Sequence, residues 1–98
     1  MSRLRLEPYI VDNLMRDLVS HDRAPSAFLV FLWLWRRTHG EGRARIGASL
    51  QDIARATGLS KSSVQSAVRR LTRRKLISAT RAGVTAAPIY AVHETWKR

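Results

Sequence analysis

The 98-residue sequence contains no cysteine, which excludes a disulfide framework, a thiolate nucleophile and a cysteine-based zinc site. Its longest apolar run, from Ala27 to Trp35, covers nine residues, whereas a helix that spans a bilayer needs about 20. The N-terminus carries acids at Glu7 and Asp12 and has no apolar stretch typical of a signal peptide. We therefore expect a soluble, cytoplasmic protein with no membrane-spanning segment.

Carboxylates are scarce in the second half of the chain. Residues 1–52 hold eight basic and six acidic side chains, a net charge of +2, whereas residues 53–98 hold ten basic and one acidic, a net charge of +9. Such an imbalance indicates a polyanionic partner, either nucleic acid or an anionic membrane surface, and the alternative is a solvated charged face. The positions of the arginines in the sequence distinguish a nucleic-acid partner from a membrane surface and from a solvated charged face.

No arrangement typical of a catalytic, metal or cofactor site is present. His21, His39 and His93 are scattered, and the glycines between residues 40 and 47 lack the lysine that follows in a phosphate-binding loop. No grouping of serine, histidine and aspartate can be argued. We assign no enzyme activity, no metal and no cofactor.

The length and composition predict a single domain, residues 1–98, of ordinary globular type. Apolar residues at helical spacing predict a first helix from Pro8 to about Val19, and a second helix is predicted from about Pro25 to His39. The second helix is apolar on every side, so one face must be covered by the first helix or by another copy of the protein. We expect a homodimer in which residues 1–39 take part.

Residues 49–75 carry the most informative pattern, helix, tight turn and helix. Ser49 is a good N-cap for a helix from Leu50 to Thr57, with Asp52 at its third position. Gly58 ends that helix, Leu59 fills the corner of the turn and Ser60 caps the next helix. This spacing is typical of a DNA-binding helix-turn-helix.

The second helix of this motif is predicted to have an inner apolar stripe and an opposite polar face. The stripe comprises Val64, Ala67, Val68 and Leu71. With about 3.6 residues per turn, the opposite face holds Ser62, Ser66, Arg69 and Arg73, flanked by Gln65 and Arg70. Serine, glutamine and arginine reach phosphates and base edges, and an ordinary solvated helix would usually include glutamates. This face therefore favours duplex DNA over a membrane surface.

A β-hairpin over residues 76–92 is predicted directly after that helix. Residues 78–81 form its first strand, Ala82 and Gly83 its tight turn, and residues 84–92 its second strand, with Arg81 at the tip. A hairpin in this position is the wing of a winged helix-turn-helix. A short extended piece from Arg43 to Ile46 precedes the motif.

Residues 25–92 thus resemble the winged helix-turn-helix domains of small bacterial, plasmid and phage regulators. The stretch RRLTRRKLI is similar to the segment between recognition helix and wing in MarR-type repressors and in plasmid replication-initiator N-terminal domains. The stretch IVDNLMRDLVSHDRAPSAFLVFLWLW is closer to the replication initiators. The sequence departs from the repressors by lacking the Asp-x-Arg pair of the wing and their C-terminal dimerisation helices. It also gives no indication of a small-molecule effector.

The resulting interpretation is a mainly α protein with a small β-hairpin wing that binds double-stranded DNA in a sequence-specific manner, as a transcriptional regulator. The alternatives are a plasmid or phage replication or partition module, and a winged helix used for protein or RNA interaction. The residues expected to enter the major groove are Ser62, Ser63, Gln65, Ser66 and Arg69. Those expected to hold phosphates are Lys61, Arg70, Arg73, Arg81, Arg43 and Arg45.

Overall fold

The protein, represented here by a computed structural model that describes residues 3–97, contains four helical segments and a small antiparallel sheet. The N-terminal segment is helical over residues 8–21 and is followed by α1, Pro25–Arg37, and a 3₁₀ turn, His39–Glu41. The remaining elements are β1, Ile46–Gly47; α2, Leu50–Thr57; α3, Lys61–Arg73; β2, Ile77–Thr80; and β3, Ile89–Val92. This architecture confirms the predicted winged helix-turn-helix fold.

The N-terminal segment is helical as predicted but contains two π-helical turns, Ile10–Leu14 and Asp17–His21. Its buried residues Ile10, Leu14 and Leu18 repeat every four positions. An α-helix has 3.6 residues per turn, so such a series drifts around its surface. The wider π turns offset that drift, because each closes its hydrogen bond one residue later. All three side chains consequently stay on the core.

Helix α1 lies at the centre of the molecule. It begins at Pro25, which suits the first turn of a helix because the missing N–H has no partner there in any case. Its buried residues pack against the N-terminal segment, α2, α3 and β3. The N-terminal segment therefore covers part of α1, which is one of the two expected alternatives, and Leu29 is the member of the apolar run that stays exposed.

The sheet has the strand order β1-β3-β2, which makes β3 the central strand. Thr80 pairs with Ile89, so eight residues separate the two strands of the wing. The predicted tight turn at Ala82 and Gly83 is therefore wrong, as is the predicted second strand from residue 84. That turn would place Pro88 inside the central strand, where proline cannot donate a ladder hydrogen bond. The observed register instead buries Tyr90 and Val92.

The extended piece predicted from Arg43 to Ile46 is shorter and lies further along the chain. Only Ile46 and Gly47 pair, with Tyr90 and Ile89 respectively. The arginines of this piece lie in the preceding loop. The backbone N–H of Ala48 also donates to Pro88 O at 3.1 Å, so this connection is attached to the base of the wing immediately before α2 begins.

The C-terminal residues return to the N-terminal segment. The Trp96 ring stacks on Tyr9 with centroids 4.9 Å apart and also faces Phe31 and Trp35. Lys97 Nζ lies 2.6 Å from Glu7 Oε1 and 2.7 Å from a Glu94 carboxylate oxygen. These contacts tie both ends of the described chain to one side of α1.

Candidate nucleic-acid interface

The turn between α2 and α3 is built from local capping interactions. Asp52 N donates to Ser49 Oγ at 3.0 Å, and Ser49 N donates to the Asp52 carboxylate at 3.0 Å, which completes a capping box. The hydrogen bond from Ser49 N to the carboxylate, together with a hydrogen bond from the Ser49 side chain, holds the pKa of Asp52 below its ordinary value. Gly58 has φ +80°, the left-handed conformation that glycine adopts without strain, and Ser60 Oγ accepts from Ser63 N at 3.1 Å. The predicted caps and turn are confirmed.

Helix α3 has the predicted buried and exposed faces. Val64, Ala67 and Leu71 are buried, and Val68 is half-buried. The opposite face leaves exposed Ser62, Gln65, Ser66, Arg69 and Arg73, while Arg70 is half-buried at its margin. A row of hydroxyl, amide and guanidinium groups therefore covers the outside of the helix.

Two serines at the start of α3 also serve its N-terminus. Ser60 Oγ donates to Ser63 Oγ at 2.9 Å, and Ser63 is half-buried. Ser62 Oγ lies 3.3 Å from Ser60 Oγ and is exposed. The geometry thus ties Ser63 to helix capping more closely than Ser62.

Four of the six predicted phosphate-binding residues, Lys61, Arg70, Arg73 and Arg81, line two grooves beside α3. Arg69, Arg70 and Arg73 line a shallow groove together with Ser66 on α3. Lys61 and Arg81 line a second groove, between the wing loop and the first turns of α2 and α3. Two basic regions thus lie along α3, one beside the wing and one towards the helix end.

The predicted position of Arg81 at the wing tip is wrong. Arg81 directly follows β2, and the loop continues past it to Val84, which is 93% exposed. The longer loop is the reason, since eight residues separate the two strands. Arg81 instead lines a groove with Gln65 and the buried Tyr90. Burial raises the pKa of Tyr90, and the positive charge of Arg81 acts in the opposite direction.

Arg43 and Arg45 are exposed in the loop before β1. Neither is among the residues that line the two basic grooves. Gln51, which the sequence did not single out, does line the wing groove beside Lys61 and Arg81. Its position on the first turn of α2 was available from the sequence, but its approach to the wing was not.

One carboxylate, Asp22, lies against the end of α3. Its side chain accepts a hydrogen bond from Arg74 Nε at 3.0 Å and lies 3.0 Å from His21 Nδ1. The hydrogen bond with His21 and the charges of Arg74 and Arg70 lower the pKa of Asp22, against the opposing effect of burial. The sequence placed this residue only in the break between two helices.

Two other kinds of site are absent from the described part of the chain. Within residues 3–97, no group of three or more histidine, aspartate or glutamate side chains is arranged to hold a metal ion. In the same residues, no helix has the length and apolar character needed to cross a membrane.

A helix-turn-helix followed by a two-stranded wing defines the winged helix-turn-helix class. The model of the helix-turn-helix domain family matches residues 24–77, more than half of the chain. The protein therefore belongs to this helix-turn-helix domain family. No relative was found among curated proteins.

Solved structures of two regulators are similar to this chain at low sequence identity. A MarR family regulator from Neisseria meningitidis, NMB1585, superposes with a TM-score of 0.53 and 16% identity, over 88% of this chain and 56% of that one. The adhesin competence repressor AdcR from Streptococcus pyogenes gives a TM-score of 0.48 and 18% identity, over 89% of this chain and 62% of that one. The chain thus spans less than two thirds of the length of either protein.

Proposed function

We propose that this protein binds double-stranded DNA in a sequence-specific manner, with α3 in the major groove and the wing on the adjacent backbone, and that it acts as a cytoplasmic transcriptional regulator. The observation that carries the proposal is the outer face of α3, which exposes serine, glutamine and arginine and has no carboxylate. DNA presents phosphates and base edges that these side chains bind. No catalytic step is part of the proposal.

The positions of the side chains suggest a division of roles. Ser62, Gln65, Ser66 and Arg69 face outward on α3 and are assigned to base edges, with Ser63 contributing at the helix start. The residues assigned to phosphates are Lys61 and Arg81 beside the wing, Arg70 and Arg73 towards the helix end, and Arg43 and Arg45 in the loop before β1.

A first experiment tests nucleic-acid binding itself. The affinity for a short random-sequence duplex is measured by fluorescence anisotropy at several salt concentrations. Log K should fall with log salt by about 0.9 for each phosphate neutralised. Binding that is absent or insensitive to salt would contradict the proposal, and equal affinity for duplex RNA would favour the RNA alternative.

A second experiment tests base recognition. Sequences bound by the protein are selected from a random duplex pool, and the selection is repeated with Arg69→Ala. If Arg69 reads a base, its loss costs about 1–3 kcal/mol and relaxes the preference at one position. Arg16→Ala, which removes an exposed arginine from the N-terminal segment, is the matched control. Equal weakening of all sequences by Arg69→Ala would make this residue a phosphate ligand.

The same proposal includes a homodimer that forms through the N-terminal segment. Val11, Met15 and Val19 form an apolar stripe on it and are 38–43% exposed. A second copy that covers this stripe would bring two α3 helices to half-sites about 34 Å apart. Sedimentation should show a dimer that Met15→Glu dissociates and that Ser20→Glu, an exposed position on the same segment, leaves intact. A wild-type monomer at micromolar concentration would refute this part.

A further inference from the structure

The end of α3 concentrates positive charge. Arg69, Arg70, Arg73, Arg74 and Lys75 follow one another within seven residues, and no acidic residue lies among them. Any carboxylate that pairs with them must therefore come from elsewhere in the chain. Asp22 supplies one, because its carboxylate contacts Arg74 although the two residues are 52 positions apart.

The contact between Asp22 and Arg74 is well placed to hold Arg74. The Asp22 side chain is only 7% exposed, whereas the Arg74 side chain that it contacts is 38% exposed. The hydrogen bond is made by Arg74 Nε at 3.0 Å and is charge-assisted. Arg74 is also the C-cap of α3, so this bond joins the end of the helix to the residue that follows the N-terminal segment.

Helix geometry separates the arginines into two rows. Residues four positions apart lie on the same side of a helix, so Arg70 and Arg74 form one row and Arg69 and Arg73 the other. Arg70 lines a groove with Ala24, at the start of α1, and it contributes to the charge around Asp22. Arg69 and Arg73 face outward with the polar residues of α3.

We propose that Asp22 is a positioning residue that assigns the arginines at the end of α3 to different tasks. It holds Arg74 against the N-terminal segment and out of the nucleic-acid interface, and it leaves Arg69 and Arg73 free to contact DNA. This inference rests on the proposed DNA binding. As a consequence, Asp22 limits the number of phosphate contacts that the protein can make. It thereby also limits the affinity for DNA of any sequence.

The salt dependence of binding to a random-sequence duplex tests this assignment. Arg73→Gln should reduce the slope of log K against log salt by about 0.9, the loss of one phosphate contact. Arg74→Gln should leave the slope unchanged. Asp22→Asn should steepen it by about 0.9, because Arg74 is released to the DNA. In the double variant Asp22→Asn/Arg74→Gln the slope should return to the wild-type value.

Asp12→Asn is the matched control for Asp22→Asn. It removes the same charge from an exposed site on the N-terminal segment and should leave the slope unchanged. A steepening equal to that of Asp22→Asn would show a general charge effect and overturn the assignment. A slope reduced as much by Arg74→Gln as by Arg73→Gln would also overturn it, and this comparison decides the matter if Asp22→Asn does not fold.

A stability measurement separates failure of this inference from failure of the proposed function. Urea unfolding is measured for the wild type, Asp22→Asn, Arg74→Gln and the double variant. The coupling free energy between Asp22 and Arg74 should differ from zero, because the two side chains are in contact. If the wild type shows no salt-dependent DNA binding, the proposed function fails and this assignment fails with it, whether or not the pair is coupled. If the wild type binds but the pair shows neither coupling nor a change in slope, only the positioning role fails.

Discussion

Gly58→Ala tests the turn that sets α3 against α2. Gly58 has φ +80°, where an L-residue with a Cβ costs about 1–2 kcal/mol. No heavy atom lies within 4 Å of the Cβ that alanine would add, so the cost is one of backbone conformation alone. Alanine also reduces the entropy of the unfolded chain, which returns about 0.4–1 kcal/mol. We expect a net loss of about 1 kcal/mol in the free energy of unfolding, the difference between these two effects.

Urea unfolding followed by circular dichroism measures this loss. In thermal unfolding, the midpoint temperature should fall by about 4–8 °C for each kcal/mol lost. Gly83→Ala is the control, because Gly83 has equally open surroundings but no positive φ, and it should be neutral or slightly stabilising. Gly58→Asn should cost less than Gly58→Ala, since asparagine tolerates this conformation better. A neutral Gly58→Ala would refute the argument from φ, and a loss above about 3 kcal/mol, beyond the conformational cost, would reveal a steric clash.

Three further predictions follow from the hydrogen bonds and ring contacts. Ser49→Ala removes half of the capping box and should lower the free energy of unfolding by about 1 kcal/mol in urea titrations, whereas no loss would refute the cap. Hydrogen bonds and neighbouring charges lower the pKa values of Asp22 and Glu94 in the folded state. Stability should therefore be complete above their ordinary pKa values of 3.8 and 4.5 and decline below them as these groups become protonated. Urea titrations at several pH values from about 6 to 2, the range in which carboxylates titrate, measure the free energy of unfolding as a function of pH. This pH dependence should be weaker in Asp22→Asn. Trp96→Ala should cost about 2–3 kcal/mol, somewhat less than for a fully buried tryptophan, and Tyr9→Leu should cost less, because leucine replaces part of the apolar surface but not the stacked ring.

The helix-turn-helix was predictable because its signals are local. Ser49, Gly58 and Ser60 each act on backbone groups within four residues, so their roles can be read from spacing alone. The outward face of α3 was predictable for a similar reason, since it follows from the period of a single helix. Its assignment to DNA remains a prediction.

The wing was predicted only in outline because its register depends on distant contacts. Ala82 and Gly83 are a plausible tight turn in isolation. The observed pairing is set by the burial of Tyr90 and Val92 and by the pairing of β3 with β1 on its other side. Strand β1 lies more than 40 residues earlier in the chain. Similarly, neither the approach of Gln51 to the wing nor the bond between Asp22 and Arg74 leaves a local pattern in the sequence.

The two-residue strand β1 has a mechanical consequence. It attaches the root of the wing to the residues that begin α2, since Gly47 pairs with Ile89 and the Ser49 cap follows two residues later. A displacement of the wing root would therefore pull directly on the first turn of the helix-turn-helix. If DNA binds as proposed, this attachment fixes the distance between α3 and the wing root, and the duplex has to match that distance.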